Sequence, residues 1–443
     1  MNSSSKLFKL FIPSAIYLVC YHAFCYGRNV ESDKDQCLLI ILLDGIRWDY
    51  VNEENLKGFT RLSRNGVKAE YVRPVFPSNS YPNWYSIATG LYAESHGIVD
   101  NFIFDEKYND YFLMAPDKGV FKEHWWNDAE PIWITAEKNS IKTHMYNWVG
   151  CEVPIQGLTA SYCKNFRSLF SWWARVNRDT KAAIFRILDH FHSNTSRLGF
   201  VYYEPIDALG HQFGPNSALT RNFLRNIDSI LYDMQEEIEK RNLGNRVNVV
   251  IVSDHGMTTK TIFRTRTISL DDVLSPKDIK VMLNVHYNSM IWPVEGKEEK
   301  VYQSLKNAKK TGLHVYKKEE LSDHYHYRNH RLIAPIILFA DKSYNILPLR
   351  SSSKVKPYYP LASILTYLQP GLHGLDPFSE GSEDMRTIFF ASGPSFKKNY
   401  VSPPLEMVDH YNVFCHVLGI TPLPNNGSYD RVKEFLIPKT VHT

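Results

Sequence analysis

The sequence lacks a strong excess of charge and lacks repeated or low-complexity segments. Its 443 residues carry a formal net charge of only +4, which gives no electrostatic reason to bind a nucleic-acid polymer. No internal repeat is visible, which excludes solenoids and arrays. Hydrophobic residues make up 44% of the chain, enough to bury a large core. The composition therefore indicates a globular protein whose partner is not a nucleic-acid polymer.

Long hydrophobic runs are also scarce. The run "LFIPSAIYLVCYHAFCYG" follows Lys6 and Lys9, and a basic start before a short apolar stretch is typical of a secretory signal. We expect cleavage between Ala23 and Gly27, so that 1–27 is a signal peptide, with a signal anchor as the alternative. No second run of membrane-spanning length follows. The protein is therefore expected outside the cell, secreted or at the cell surface, with membrane association only through a segment absent from this sequence.

Cysteines are few, and their placement agrees with export. Cys151 and Cys163 flank the loop "CEVPIQGLTASYC", which predicts a local disulfide in an oxidising compartment. Cys37 and Cys415 leave two possibilities open, a bond to each other or a bridge to a second chain in a homodimer. Two Asn-X-Ser/Thr sequons, "NTS" and "NGS", are acceptors for glycosylation in an exported chain.

Four continuous apolar runs predict the fold class: "CLLIILL", "LGFVYY", "VNVVIVS" and "TIFFAS". Continuous hydrophobicity is typical of strands that are covered on both faces. Helical patterns lie between the runs, for example over 219–243. This alternation predicts an α/β protein with a mostly parallel central sheet and helices on both faces. From about 279 to 372 the pieces become shorter around one helix, which predicts a small α+β insertion in a catalytic domain spanning 36–430, followed by a tail over 431–443.

The run "VFPSNSYPNWYSIATG" presents a serine between two prolines. Pro77 and Pro82 fix the backbone, and helical spacing begins at Asn83. This predicts a rigid turn that leads into a helix, with the hydroxyl of Ser80 near the helix N-terminus. Such an end suits a nucleophile that attacks an anion. Taken locally, however, the pattern favours an ordinary N-cap.

Acidic and histidine side chains follow three of the predicted strands. Ligands of open α/β sheets collect at the carboxyl ends of the strands. A single Asp there is typically a turn residue, but three such ends on one edge indicate a shared site. Asp207 and His211 are four residues apart and face the same way on one helical turn, whereas adjacent Asp254 and His255 are expected to point toward two different ions. The candidate ligands are Asp44, Asp207, His211, Asp254, His255 and His373.

Three aspartates, three histidines and a serine hydroxyl form a mixed nitrogen and oxygen ligand set that suits zinc. Two ions roughly 4 Å apart can stabilise the attacking and leaving oxygens of a displacement at phosphorus. A metal-bound serine hydroxyl loses its proton near neutral pH and becomes a nucleophile. The sequence therefore predicts two Zn²⁺ ions and phosphoryl chemistry.

Seven motifs occur in order over nearly the whole mature chain: "LLDGIRWDY", "FPSNSYPNWYSIATG", "HGIVDN", "EPIDALGHQFGP", "VSDHGM", "LHGLD" and "LGITPLPNNGS". Together they resemble the ecto-nucleotide pyrophosphatase/phosphodiesterase family of the alkaline-phosphatase-like superfamily. The resemblance implies that Ser80 is the nucleophile and forms a covalent phosphoryl intermediate. It also implies that Asn101 donates to a phosphate oxygen and that Tyr202 and Tyr81 flank the substrate. The implied zinc ligands are Asp44, Ser80, Asp254 and His255 for one ion, and Asp207, His211 and His373 for the other.

The nucleophile position bears on the substrate. Many nucleotide-cleaving members of the family carry threonine there, whereas this chain has Ser80. Together with the paired cysteines, this makes the chain resemble most the choline-specific glycerophosphodiester phosphodiesterases, and a quaternary ammonium group requires an aromatic cage. The expected substrate is therefore a small choline phosphodiester such as glycerophosphocholine, with ATP, NAD or dinucleotides as the alternative.

Three rival functions differ from this reading. An inactive surface protein that binds a ligand would have lost a nucleophile or a ligand, and none is missing. A sulfatase requires a "CxPxR"-type context, which does not precede Asn79. A phosphomonoesterase would place charged groups around the phosphate, whereas only Asn101 and a hydroxyl are expected there. The diesterase is the function that the sequence favours.

Overall fold

The computed structural model describes residues 36–52, 55–165, 173–260, 265–285, 287–347, 349 and 369–439. The predicted signal peptide lies outside the described residues. So do the end of the predicted tail and part of the predicted insertion.

The described residues form the following α-helices and β-strands. The helices are α1 (Lys57–Arg64), α2 (Ser80–Thr89), α3 (Ala93–His96), α4 (Ile132–Lys138), α5 (Trp173–His192), α6 (Pro205–Phe213), α7 (Ala218–Lys240), α8 (Glu298–Ala308), α9 (His410–Leu418) and α10 (Tyr429–Val432). The strands are β1 (Cys37–Leu43), β2 (Gly66–Ala69), β3 (Val72–Arg73), β4 (Ile103–Asp105), β5 (Asp110–Phe112), β6 (Thr143–Tyr146), β7 (Tyr162–Lys164), β8 (Leu198–Tyr203), β9 (Val247–Val252), β10 (Thr258–Thr259), β11 (Arg266–Ile268), β12 (Ile279–Val285), β13 (Asn288–Pro293), β14 (Leu313–Lys317), β15 (Ile336–Ala340), β16 (Tyr344–Ile346), β17 (Gly371–Leu372), β18 (Phe389–Ser392), β19 (Tyr400–Ser402) and β20 (Leu405–Glu406).

The central sheet has the strand order β19-β2-β18-β9-β1-β8-β6-β7. Strand β1 runs parallel to both β8 and β9, and β6 runs parallel to β8 and β7. The mostly parallel sheet is therefore confirmed. The run "TIFFAS" forms β18, which is antiparallel to β9 and β2. Continuous hydrophobicity reports burial on both faces of a sheet and carries no information on strand direction.

Successive residues of β1 enter two different cores. Leu38 and Ile40 pack in the core that contains residues of α2, α4 and α9, whereas Leu39 and Ile41 pack with residues of α1, α5 and α7. This follows from the two-residue period of a strand. Helices thus cover both faces, as predicted, and the helix predicted over 219–243 is α7.

A second sheet lies within the predicted insertion. Its strands have the order β12-β13-β15-β14 and are antiparallel, and Val301 and Leu305 of α8 belong to its core. The chain enters and leaves this region side by side, because Thr258 of β10 pairs with Leu372 of β17. This arrangement agrees with an insertion, whose exact bounds remain a prediction.

Cys151 and Cys163 form a disulfide with a Cα–Cα distance of 5.7 Å, as predicted from their spacing. Cys37 and Cys415 are buried thiols and are not bonded to each other. Among the described residues, no helix has the length and hydrophobicity that crossing a membrane requires.

Candidate active site

The first group of candidate ligands lies at the ends of two central strands. Asp44 directly follows β1, and Asp254 and His255 come shortly after β9, the parallel neighbour of β1. Nε2 of His255 lies 3.6 Å from Oδ1 of Asp44 and 3.4 Å from Oδ2 of Asp254. The expectation that Asp254 and His255 point toward different ions is therefore wrong. Strand alternation does not apply to them, because β9 already ends at Val252.

Ser80 joins this group from the N-terminus of α2. The helix begins at Ser80 itself, three residues before the predicted start, because a proline such as Pro82 is tolerated in the first turn of a helix. The N-cap position belongs to Asn79, so Ser80 is not the cap. Oγ of Ser80 lies 3.1 Å from Nε2 of His255, within the candidate ligand group.

The second group combines one helix with one loop. Asp207 and His211 lie on α6, and His373 directly follows β17. Nε2 of His211 is 3.4 Å and Nε2 of His373 is 3.8 Å from Oδ1 of Asp207. Asp207 and His211 therefore face the same way on the helix, as predicted. This group is less deeply buried than the first, with 15% of the Asp207 side chain exposed.

The two groups are neighbours. The rings of His255 and His373 stack with centroids 3.7 Å apart. Gly45 allows this approach, since it has a φ of +69° and a Cβ there would lie 2.9 Å from the Cα of Asp207. A residue with a side chain would be strained and would collide with the second group. The glycine after Asp44 therefore brings both groups into one site.

Backbone carbonyl groups orient all three histidines. Nδ1 of His211 lies 2.9 Å from the carbonyl of Gly371, and Nδ1 of His255 lies 2.9 Å from the carbonyl of Gly256. For His373 the carbonyl belongs to Ser78, at 3.1 Å. A carbonyl only accepts hydrogen bonds, so each Nδ1 donates and each Nε2 directs its lone pair toward the space beside the carboxylates, where a cation could accept it. Burial lowers the pKa of His211 to about 4, so this imidazole is neutral at pH 7.

The carboxylates are arranged to receive a cation. Burial, and then the charge of Asp254, raise the pKa values of both Asp44 and Asp207. Oδ1 of Asp44 and Oδ1 of Asp207 are buried and make no hydrogen bond with the described residues. Leaving such oxygens unpaired is costly. Imidazole nitrogens beside unsatisfied carboxylate oxygens fit divalent metal ions, and each group offers three ligand atoms within 4.8 Å of one another.

The predicted substrate residues surround Ser80. Oδ1 of Asn101 accepts a hydrogen bond from the backbone N–H of Tyr81 at 3.0 Å, which turns the Asn101 amide nitrogen away from that partner. The hydroxyl of Tyr202 donates to Oδ2 of Asp44 at 2.5 Å. The ring of Tyr81 is buried beside Trp84 and Phe112, and its hydroxyl accepts from the N–H of Ala115.

Two further residues at the site were missed by the sequence analysis. Nε1 of Trp84 donates to Oδ2 of Asp254 at 2.7 Å, and its position four residues after Ser80 could have indicated a shared helix face. Asp100 accepts hydrogen bonds from Asn79 and from the N–H of Asn101. Asp100 lies within the motif "HGIVDN", but its role was not predicted, because Asn79 meets it only in the folded chain.

Comparison with known proteins points to one family. Residues 38–376 match the family model of type I phosphodiesterase / nucleotide pyrophosphatase. Human ectonucleotide pyrophosphatase/phosphodiesterase family member 5 is 33% identical over 409 residues, which are 92% of this chain and 79% of the relative. The human bis(5'-adenosyl)-triphosphatase ENPP4 is 33% identical over 418 residues, covering 93% of this chain and 84% of that protein.

A solved structure has the same fold. Murine ectonucleotide pyrophosphatase/phosphodiesterase 5, as an inactive variant in complex with AMP, superposes with a TM-score of 0.78 at 32% identity. The match covers 91% of this chain and all of that chain. The resemblance found in the seven motifs is thereby confirmed. This chain belongs to the ecto-nucleotide pyrophosphatase/phosphodiesterase family of enzymes, within the alkaline-phosphatase-like superfamily.

Proposed function

We propose that this chain hydrolyses small phosphodiesters or pyrophosphates by attack of the Ser80 hydroxyl on phosphorus, through a covalent phosphoryl-serine intermediate. The observation that carries the proposal is the position of Ser80 Oγ, 3.1 Å from Nε2 of His255 at the first residue of α2. The free N–H groups of a helix N-terminus stabilise an anion, so a phosphate at Ser80 would lie at a favourable end of the helix.

The cofactor in this proposal is a pair of zinc ions. Asp44, Ser80, Asp254 and His255 would hold one ion, and Asp207, His211 and His373 would hold the other. Bound there, the ions would lower the pKa of the serine hydroxyl and neutralise charge on the phosphate oxygens. Mixed nitrogen and oxygen donors and two orphaned carboxylate oxygens support this assignment.

The surrounding residues fix the geometry of the reaction. Asn101, whose Oδ1 is already used by Tyr81, would donate through Nδ2 to a phosphate oxygen. Trp84 and Tyr202 hold the carboxylates of Asp254 and Asp44 in place, which lowers the cost of reorganisation during the reaction. The substrate would therefore meet preset donors in a site from which most water is excluded.

For the substrate we propose a choline phosphodiester such as glycerophosphocholine. Oε1 of Glu152 is buried and makes no hydrogen bond with the described residues. After burial itself, the charges of Glu152 and Glu204 raise the pKa of Tyr81, so these carboxylates lie near an aromatic residue of the site. A buried carboxylate with one unsatisfied oxygen near an aromatic residue favours a quaternary ammonium group.

A nucleotide is the second candidate substrate. The solved murine relative is described in complex with AMP, and the human relative is named as a bis(5'-adenosyl)-triphosphatase. In this reading Tyr81 would stack on the base. The disulfide and the name of the family support an extracellular enzyme in either case.

A panel of substrates tests the proposal. The purified chain is incubated with glycerophosphocholine, ATP and NAD, with and without a zinc chelator, and products are identified by mass spectrometry. We expect phosphocholine only without chelator, and Glu152→Gln should raise the KM for glycerophosphocholine about tenfold, equivalent to about 1.4 kcal/mol. AMP as the main product would favour the nucleotide, and no product from any substrate would contradict the enzymatic proposal.

A further inference from the structure

Asp100 lies behind the site and connects its two sides. It is buried, with 3% exposure, and directly precedes Asn101. Its Oδ1 accepts one hydrogen bond from Nδ2 of Asn79 and one from the backbone N–H of Asn101, both at 2.7 Å. Both distances lie at the short end of the range for N–H···O hydrogen bonds. A single carboxylate oxygen therefore holds two residues that belong to different parts of the site.

The first connection reaches the candidate metal ligand His373. Oδ1 of Asp100 accepts the hydrogen bond from Nδ2 of Asn79, so Nδ2 of Asn79 is held toward Asp100 and Oδ1 of Asn79 is turned the other way. That Oδ1 lies 3.1 Å from Nδ1 of His373. Nδ1 therefore donates to this oxygen as well as to the carbonyl of Ser78, which leaves Nε2 as the atom that faces Asp207. Gly374 permits this contact, since a Cβ there would lie 2.6 Å from Oδ1 of Asn79.

The second connection reaches Asn101. Its backbone N–H is held by Asp100, and its side-chain Oδ1 is held by the N–H of Tyr81. Asn101 is thus held at its backbone N–H and at its side-chain oxygen, and Nδ2 of the side chain is the atom that can donate to a ligand. The orientation of this donor depends on the same carboxylate that orients His373.

We infer that Asp100 is a positioning residue, which orients the metal ligand His373 through Asn79 and orients the phosphate donor Asn101 directly. The inference rests on the proposed function, because it assumes that His373 binds metal and that Asn101 binds phosphate. It adds to that function a physical coupling between metal binding and phosphate binding. Partners behind a metal ligand typically change metal affinity about 10- to 100-fold when they are removed.

Three variants separate the two connections. Asn79→Ala breaks only the connection to His373, Asp100→Ala breaks both, and Asp100→Asn keeps an oxygen that can accept both hydrogen bonds. The matched control is Asp228→Ala, which removes another buried carboxylate that accepts a backbone N–H, from Phe59. Zinc affinity is measured by chelator competition on the full chain. The inhibition constant of inorganic phosphate is measured at saturating zinc.

We expect Asn79→Ala and Asp100→Ala to weaken the more loosely held zinc by about tenfold, and Asp100→Asn and the control to bind zinc like the unmodified chain. Phosphate inhibition should weaken clearly in Asp100→Ala and less in Asn79→Ala. Equal zinc and phosphate affinities in all variants would overturn the inference alone, as would an equal loss in the control. An unmodified chain that binds no zinc would overturn the proposed function as well. If Asp100→Ala does not fold, the contrast between Asn79→Ala and Asp100→Asn decides.

Discussion

The two halves of the site differ in how firmly the fold holds them. The first half, Asp44, Asp254 and His255, lies at the ends of neighbouring central strands, and its side chains are no more than 3% exposed. The second half, Asp207, His211 and His373, combines a helix with a loop, and the Asp207 and His211 side chains are 15% and 14% exposed. Both halves use similar ligands, so the difference lies in their surroundings.

Hydrogen bonds from neighbouring groups account for the contrast. Asp254 accepts from the N–H of Gly45, the N–H of His255 and Nε1 of Trp84, and Asp44 accepts from Tyr202. Oδ1 of Asp44 and Oδ1 of Asp207 both make no hydrogen bond with the described residues, so the contrast lies in Asp254 and in Oδ2 of Asp44, which neighbouring donors hold in the first half alone. The first half is therefore set before a metal arrives, whereas the second depends on the ion for its order. We expect the second half to release its ion first.

The largest effect is expected where the first half meets the substrate. Ser80→Ala should lower turnover by at least about 10³-fold, because removal of a nucleophile leaves only binding and charge stabilisation. Its matched control is Ser86→Ala on the same helix, since Oγ of Ser86 also lies beside a histidine nitrogen, 3.0 Å from Nε2 of His96. Steady-state turnover at equal zinc content checks this. Similar rates in both variants would remove Ser80 from the mechanism.

A ligand substitution in each half compares the halves directly. Asp254→Asn and Asp207→Asn should each lose about one zinc ion per chain and at least about 100-fold in turnover, more than the loss of an outer partner costs. Zinc content after dialysis is measured by mass spectrometry of the metal. Two ions retained by Asp254→Asn would contradict its assignment as a ligand.

A smaller effect is expected from the indole that holds Asp254. Trp84→Phe removes the Nε1 donor and keeps an aromatic ring, so the ion in the first half of the site should bind about tenfold more weakly. Trp133→Phe is the matched control, because Nε1 of Trp133 is buried and makes no hydrogen bond with the described residues. Chelator competition distinguishes them. Equal zinc affinities would show that the first half does not depend on its outer partners.

The smallest effect concerns the stability of the fold at acidic pH. It arises from a histidine that contacts the helix carrying Ser80. Burial lowers the pKa of His96, behind α2, to about 3, so this side chain is neutral when folded and becomes protonated on unfolding below pH 6.5. The unfolded chain then binds the extra proton, and stability falls as the pH decreases. Between pH 6 and pH 5 this costs about 1 kcal/mol. The free energy of unfolding, measured with denaturant at both pH values, should fall by this amount more in the unmodified chain than in His96→Gln. The same pH dependence in both chains would contradict this prediction.

The sequence was most informative where the fold places residues by simple rules. Asp44 and Asp254 were found because parallel strands bring their carboxyl ends to one edge, and Asp207 and His211 because four residues make one helical turn. The direction of β18 was missed, since hydrophobicity does not encode it. Asp100 was missed because its two partners are distant in the chain or use backbone groups, which no side-chain pattern reveals.

The most direct test of the account follows zinc as it leaves the unmodified chain. The protein, loaded with zinc, is titrated with a chelator, and the remaining metal and the turnover are measured at each step. We predict that two ions leave the unmodified chain in two steps and that turnover is lost during the first step. In Asp207→Asn the first step should be absent. A chain that holds no zinc, or that loses all of it without losing turnover, would contradict the two-metal site on which the mechanism rests.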